Sequence, residues 1–447
     1  MGSGVLSLIG ILIGLVMLII LTYKNVPLLI LGPLCSFVVL LFAGGSVNIF
    51  DGLTENYADA FAGFAKSNFL IFLPAVTLGQ MLGDSGAAKD ISLAIAKLTT
   101  KSKKNAKYLT MLGMAAITAI LTFGGVTGFV IVFTVAPICK EVFKHLDIPW
   151  HLVMAVMVYG GSMWTAILPG SPALQNLIPT EYLGTTPMAG PWIGVILALI
   201  AIVIGGVYLK FILDRCEKRG EGFMLTGSEI AKTMTEAEDG KSFLDQEHGS
   251  VIKALAPSLT LIISMNVFGL EPVAALFLGM AVCLVLYLKK FESLSKTFGA
   301  GGRSTATSIM NVCAVVGFGG VIKIVPGFDY LVGALDKVPG PPLIQLALAT
   351  NLIAGITGSA SGGEGIALET FAQRFLDMGI NPDVIHRIVN VSCYGLDSMP
   401  HNGSTITRLD YCKLTHKQAY YHEFILGALI PFLMSFIAVA LASMGIV

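Results

Sequence analysis

The sequence predicts an all-α polytopic membrane protein, and three observations lead there. Hydrophobic residues make up 55% of the 447 residues and charged residues only 13%, giving a mean hydropathy of +0.79. Apolar stretches long enough to cross a hydrocarbon layer of about 30 Å recur from end to end. Uncharged clusters of Gly, Pro and Ser interrupt several of these stretches. In hydrocarbon such a break is tolerated where protein or a water-filled cavity satisfies the freed backbone.

In chain order, residues 5–21 and 27–44 are clean spans. The N-terminal stretch lacks the basic region and small-residue cleavage site of a signal peptide, so 5–21 is expected to stay in the membrane. A polar stretch carrying Asp51, Glu55 and Asp59 follows, and then a span over 68–82. Residues 89–107 are lysine-rich, with apolar Ile91, Ala94, Ile95 and Leu98 at helical spacing, as in a helix lying along the membrane surface. The apolar runs 108–121 and 129–138 are short for spans. Joined by Thr122-Phe-Gly-Gly-Val-Thr-Gly128, they read as a re-entrant hairpin. The segment 150–168 stops at Pro169-Gly-Ser-Pro172, which cannot continue a helix, and 191–209 is the next span.

Residues 214–253 form the one long hydrophilic piece, with both signs of charge and no apolar period. The plan then recurs. Spans over 252–269, 272–288 and 304–322 precede a second hairpin, with arms 343–357 and 366–375 and a tip at Gly358–Gly365. A second broken helix, 385–399, runs into Pro400-His-Asn-Gly403, and the last span is 424–444. Thr122–Pro149 and Thr357–Pro382 are nearly equal in length, and Pro169–Leu183 and Pro400–Leu414 are equal, which points to duplication.

The expected organisation is therefore two inverted-topology repeats, 1–213 and 251–447, joined by a cytoplasmic linker, 214–250. Each repeat holds about five transmembrane helices, one re-entrant hairpin and one broken helix. With 89–107 in the cytoplasm, most of the 28 Lys and Arg fall inside, as the positive-inside rule requires. Both termini are then extracytoplasmic, and the two hairpins open from opposite sides. Broken helices meeting near the midplane of inverted repeats are an architecture of secondary transporters.

Other classes fit less well. A net charge of zero and the absence of a basic run interleaved with aromatics argue against nucleic acid. The seven cysteines are scattered, without metal-ligand spacing, and read as small apolar fillers. Neither HExxH nor GxSxG occurs, so no enzyme activity, metal or cofactor is expected. An anion channel could use the same hairpins, but two halves with different polar sets suit alternating access better.

The elements Asp397-Ser-Met-Pro-His-Asn-Gly-Ser-Thr-Ile-Thr407, Thr357-Gly-Ser-Ala-Ser-Gly-Gly363, Gly83-Asp-Ser-Gly-Ala-Ala88 and Phe123-Gly-Gly-Val-Thr-Gly-Phe-Val-Ile-Val-Phe133 together resemble the gluconate permease (GntP) family of the ion-transporter superfamily. The likeness covers most of the chain. It is nearest to members with a Pro-His-Asn-Gly element, associated with short hydroxy or keto acids; the gluconate branch carries a different His-Asn-Asp type sequence there. The resemblance implies proton-coupled uptake of small organic anions into the cell across the inner membrane. The superfamily implies a homodimer with a scaffold and a moving, elevator-type transport domain.

The residues themselves also suit an anion. Hairpin tips and helix breaks bring helix N-termini together, where N–H groups and the macrodipole favour a carboxylate. Expected substrate-binding residues are Thr122, Gly124, Gly125, Thr127, Ser171, Ser359, Ser361, Gly362, Gly363, His401, Asn402, Ser404 and Thr405, whose hydroxyls and amide match a hydroxy acid. For the small residues the competing reading is close helix packing. Ionisable groups inside apolar zones are functional by default, so Glu364, Asp397 and His401 are the candidates to carry the coupling proton. Glu369, near a water-filled crevice, is a weaker one. Sodium is the alternative coupling ion, held near Ser359, Asn402 and Thr405. Arg408 is expected too near the cytoplasm to be the substrate cation, with a reach toward the site as the alternative; Lys66 and Lys323 could counter an anion, but at span ends snorkelling is the favoured reading.

Overall fold

The computed structural model describes residues 3–24, 26–99, 105–123, 128–171, 173–233, 249–335 and 341–447, and among them no strand occurs. The first helices are α1 (Ser3–Tyr23), α2 (Leu28–Leu41), α3 (Ile49–Asp51) and, after a π-helical turn Gly52–Tyr57, α4 (Ala58–Asp84). Next come α5 (Ala87–Thr99), α6 (Ala106–Phe123), α7 (Gly128–His145), α8 (Leu152–Gly161), α9 (Leu174–Leu183) and α10 (Pro191–Lys218). The short helices α11 (Phe223–Thr226) and α12 (Ser228–Ala231) precede α13 (Val251–Asn266), α14 (Pro272–Tyr287), α15 (Leu294–Ile324) and α16 (Pro326–Leu335). The chain closes with α17 (Pro342–Thr357), α18 (Ala360–Asp377), α19 (Pro382–Ser392), α20 (Gly403–Tyr411), α21 (His416–Glu423), a π-helical turn Phe424–Leu429 and α22 (Ile430–Ser443).

Seven helices among the described residues are long and apolar enough to cross a membrane: Gly4–Thr22, Ile49–Asp84, Ala106–Phe123, Pro191–Lys218, Val273–Lys290, Leu294–Ile324 and His416–Ser443. Their outer faces are hydrocarbon. Along α10, Leu199, Val203, Val207 and Phe211 form an exposed stripe at helical spacing, a surface that needs lipid to cover it. The chain is a multi-pass membrane protein.

Several boundaries differ from the sequence reading. The polar stretch around Asp51, Glu55 and Asp59 is helical and continuous with the next span, because its acidic groups lie on exposed or half-exposed faces and cost the helix little. The arms of the first hairpin, α6 and α7, each run 18 residues, longer than the apolar runs alone suggested. Its tip, with Gly124, Gly125 and Thr127, lies outside the described residues. The second hairpin turns more tightly than expected. Only Gly358 and Ser359 leave the helix, because the Ser359 hydroxyl accepts from Gly362 N–H at 3.1 Å and caps α18. Ser361, Gly362, Gly363 and Glu364 are thus first-turn helix residues and not loop. Both broken helices open before their prolines, the first after Gly161 and the second after Ser392.

The stretch read as a linker is partly core. Phe223 is fully buried and Ile230 nearly so, and Phe223 meets the Trp150 ring edge-on at a centroid distance of 5.7 Å. Two widely spaced apolar residues seal the ends of α8 and α10, a pattern too sparse to show as a period. The amphipathic α5 turns Ala87, Ala88 and Ile91 into the protein, where it packs on α7 and α13. Only the N-terminal part of its apolar face is covered by helices, for Leu98 is 66% exposed. All seven cysteines are buried and free.

Two long helices, α4 and α15, lie along each other. Small residues make this approach possible: a Cβ at Gly301 would stand 2.7 Å from Thr77 Oγ1, and one at Gly320 2.5 Å from Ala60 Cβ. On the other side of the site, α6 to α9 and α17 to α21 form a closely packed body.

Candidate functional site

The site is a cavity of about 570 Å³ between the α4–α15 pair and the helix breaks. One wall is mostly hydrocarbon, from Phe64, Ile71 and Phe72 of α4 and Val312, Val315 and Val316 of α15. The opposite wall is polar. It is built from the second hairpin (Thr357 to Gly362), the second break (Asp397, Ser398, Asn402, Gly403, Ser404), and Thr122, Ser162 and Gln175. Two basic side chains, Lys323 and Arg408, line it as well.

Asn402 organises the polar wall. It is the N-cap of α20, and its Oδ1 accepts from Thr405 N–H and from the Ser404 hydroxyl, each at 2.9 Å. Its Nδ2 donates to the Gly358 carbonyl at 3.2 Å and to Asp397 Oδ2 at 3.3 Å. One amide therefore ties the hairpin tip to the break. The starts of α18 and α20 consequently face the same cavity, each capped by a side-chain oxygen and each with the positive end of its dipole directed there. Asp397 Oδ1 accepts from Ser398 Oγ at 3.0 Å.

Gly358 sits in the left-handed region, φ 60°, and a Cβ there would lie 2.7 Å from His401 Cδ2. Replacement by alanine is expected to cost about 1–3 kcal/mol through backbone strain alone, and to displace the His401 ring from the hairpin. Thermal unfolding in detergent checks this. Gly365→Ala, where an added Cβ meets nothing within 4 Å, should leave the midpoint unchanged.

The structure brings seven of the expected residues to the cavity: Thr122, Ser359, Ser361, Gly362, Asp397, Asn402 and Ser404. Five others stand behind the lining. Ser171 is buried in the first break, where its carbonyl accepts from Asn176 Nδ2 at 2.8 Å. Gly363 is a packing residue, since a Cβ there would lie 2.3 Å from Ala354 Cα. Thr405 is buried and engaged through its backbone in the Asn402 cap. His401 is fully buried beside Gly358, and neither ring nitrogen has a hydrogen-bond partner among the described residues. Glu364 is fully buried on α18, and among the described residues neither carboxyl oxygen has a hydrogen-bond partner. Of the oxygens considered for sodium, Ser359 Oγ accepts from Gly362 N–H and Asn402 Oδ1 from its two donors, while the buried Thr405 Oγ1 has no hydrogen-bond partner among the described residues.

Two basic residues for which the sequence reading favoured other roles line the cavity, and a third gave no signal in the sequence. Lys323 lines the cavity, with Glu369 as a nearby opposite charge. Arg408 reaches the cavity from α20 while one guanidinium nitrogen pairs with Glu423 Oε1 at 2.5 Å. Its Nε has no hydrogen-bond partner among the described residues. Arg387, fully buried on α19, closes the first break from across the molecule. It donates to the carbonyls of Ile167 (2.9 Å), Pro187 (3.4 Å) and Ala189 (3.0 Å), and to Asn176 Oδ1 and Asn390 Oδ1. The Pro187 carbonyl also accepts from Gly170 N–H and Asn176 Nδ2, each at 2.9 Å, so Arg387 is one of three donors there.

No family model matches the chain. It is 29% identical over 455 aligned residues to an uncharacterized transporter, YxjC, of Bacillus subtilis (strain 168), covering 93% of this chain and 94% of that protein. It is 23% identical over 332 residues to an uncharacterized transporter of Haemophilus influenzae, covering 74% of each. Among solved structures it is similar to the YdaH transporter of Alcanivorax borkumensis, with 15% identity, 88% of each chain covered and a TM-score of 0.38.

Proposed function

We propose that this chain is a secondary active transporter that carries a small organic anion, a hydroxy or keto monocarboxylate such as gluconate, glycerate or 3-hydroxybutyrate, together with protons. One observation carries the reading: two capped helix N-termini and two basic side chains converge on a single cavity inside a membrane protein. The cavity falls within the roughly 300–1,000 Å³ typical of small-ligand sites. Arg408 and Lys323 would neutralise the carboxylate, and Ser359, Ser361, Ser404 and Thr122 would meet the substrate's hydroxyl or keto oxygen. The names of the two relatives support transport as the class.

In this reading the chain comprises two inverted repeats, 1–213 and 251–447. The body of hairpins and broken helices moves against the α4–α15 pair in an elevator-type cycle, in a homodimer of the inner membrane with extracytoplasmic termini. Asp397, on the cavity, and Glu364, behind it, are the proton carriers of the cycle. Burying an ionised carboxyl is costly, so loading a proton lowers the barrier to closing the site around substrate.

Uptake into proteoliposomes from a panel of gluconate, glycerate, lactate, 3-hydroxybutyrate and dicarboxylates tests this. A pH step without sodium is expected to drive a monocarboxylate; uptake that needs a sodium step would replace the coupling ion, and no uptake of any acid would overturn the substrate class. Asn402→Ala is expected to abolish uptake while costing the fold about 0.5–2 kcal/mol, the usual loss for an N-cap. Near-normal uptake in that variant would remove the break from the site.

A further inference from the structure

Away from the cavity, three side chains with metal-seeking atoms meet at the charged end of α10. His151 lies just before α8, Cys216 is in the last turn of α10 and Glu221 is in the turn beyond it. His151 Nε2 is 3.2 Å from Glu221 Oε2 and 3.8 Å from Cys216 Sγ, and all three ligand atoms lie within 4.8 Å of one another. His151 and Cys216 are buried, while Glu221 is partly open to a second cavity of about 450 Å³ that all three residues line.

We propose that His151, Cys216 and Glu221 form a binding site for a thiolate-seeking divalent metal ion of the zinc type, with its fourth position open to this second cavity. On a tetrahedral zinc with bonds of about 2.0–2.3 Å, neighbouring ligand atoms stand roughly 3.3–3.6 Å apart. The two separations from His151 Nε2, 3.2 and 3.8 Å, need adjustments of a few tenths of an ångström, and the third, within 4.8 Å, closes by side-chain rotation. The ligand set of nitrogen, sulfur and one carboxylate oxygen suits zinc and excludes magnesium or calcium, which take oxygen alone.

The surroundings are those of a held ligand set. His151 Nδ1 is 2.8 Å from His422 Nε2, and His422 Nδ1 is 3.0 Å from the Tyr208 hydroxyl. This chain fixes the imidazole plane and can take the ring proton on the Nδ1 side, leaving the Nε2 lone pair for the metal. Glu221 divides its oxygens: Oε1 lies 3.7 Å from Arg219 and Oε2 faces the other two ligands. On binding, the Cys216 thiol releases its proton to solvent, and a sulfur lone pair forms the metal bond.

The test uses the full-length, tag-free protein in detergent, stripped with a chelator and titrated with Co²⁺. A saturable one-to-one signal with thiolate-to-cobalt charge transfer and intense visible bands of tetrahedral geometry is expected, displaced by Zn²⁺. Cys216→Ser should abolish the charge-transfer band, and Cys283→Ser should keep it. Glu221→Gln, at a position nearer the surface, should weaken binding at least tenfold while leaving thermal unfolding in the absence of metal unchanged, and it decides the matter if the serine variant does not fold. Absence of saturable binding, or a spectrum untouched by Cys216→Ser and Glu221→Gln, would overturn the proposal.

Discussion

Arg408→Gln is expected to reduce uptake about 100-fold or more, the equivalent of roughly 2.7 kcal/mol of lost substrate binding. It is also expected to destabilise the fold, since Glu423 is fully buried and its partner would be gone. Truncating one member of a buried ion pair typically costs about 3–5 kcal/mol because the other charge is left uncompensated. The two effects can be separated. In Arg408→Gln/Glu423→Gln both charges are absent, so thermal stability in detergent should largely return while uptake stays low. Recovery of uptake in the double variant would reduce Arg408 to a counter-ion for Glu423. Retention of uptake in the single variant would leave Lys323 as the cation of the site.

Arg387→Met is expected to have a large effect on the fold. The arginine supplies donors to the buried carbonyls of Ile167 and Ala189, to the half-buried carbonyl of Pro187 and to two buried asparagine side chains. An orphaned buried acceptor costs about 1–3 kcal/mol, so the carbonyls of Ile167 and Ala189 bring the loss to roughly 2 kcal/mol or more, while that of Pro187 keeps its donors from Gly170 and Asn176. Arg387→Lys should restore little, because an ammonium cannot match the planar fork of a guanidinium. Size-exclusion profiles and thermal midpoints check this, and a wild-type midpoint in Arg387→Met would show that the first break holds itself.

How much of this was readable beforehand depends on whether a residue's role is local. Helix-breaking chemistry is local, so Pro169 to Pro172 and Pro400 to Gly403 revealed the breaks, and the cap formed by Asn402 follows from its place before Gly403-Ser-Thr405. The run Ser359–Gly363 was read as longer loop than it is, because small residues also start a helix well when a serine caps it. Glu364 stood out as a charge in an apolar zone, yet the sequence could not show that it faces away from the cavity. Arg387 gave no signal, since the carbonyls it serves lie about 200 residues earlier in the chain. Lys323 and Arg408 were assigned by depth along their helices, whereas their roles follow from azimuth, which hydropathy does not encode. The metal-ligand cluster was missed for the same reason: His151 and Cys216 are far apart in sequence, and no short motif records their meeting.

The contrast between the two walls of the cavity bears on how the molecule could yield under load. Asn402, Arg387 and Asn390 pin the hairpin tip, the breaks and α9 to one another through directional bonds, so that assembly resists shear as one block. The facing surface offers methyl and phenyl groups from Phe64, Ile71, Phe72, Val312, Val315 and Val316, whose dispersion contacts are short-ranged and nearly indifferent to register. In the proposed elevator cycle that block would move as a unit, and its displacement is resisted where α4 meets α7, since a Cβ at Gly79 would stand 2.2 Å from the Phe133 carbonyl oxygen. Under that proposal, a crosslink between cysteines placed at Ile71 and Ser361, which line the same cavity from opposite walls, should stop uptake while leaving the thermal midpoint unchanged.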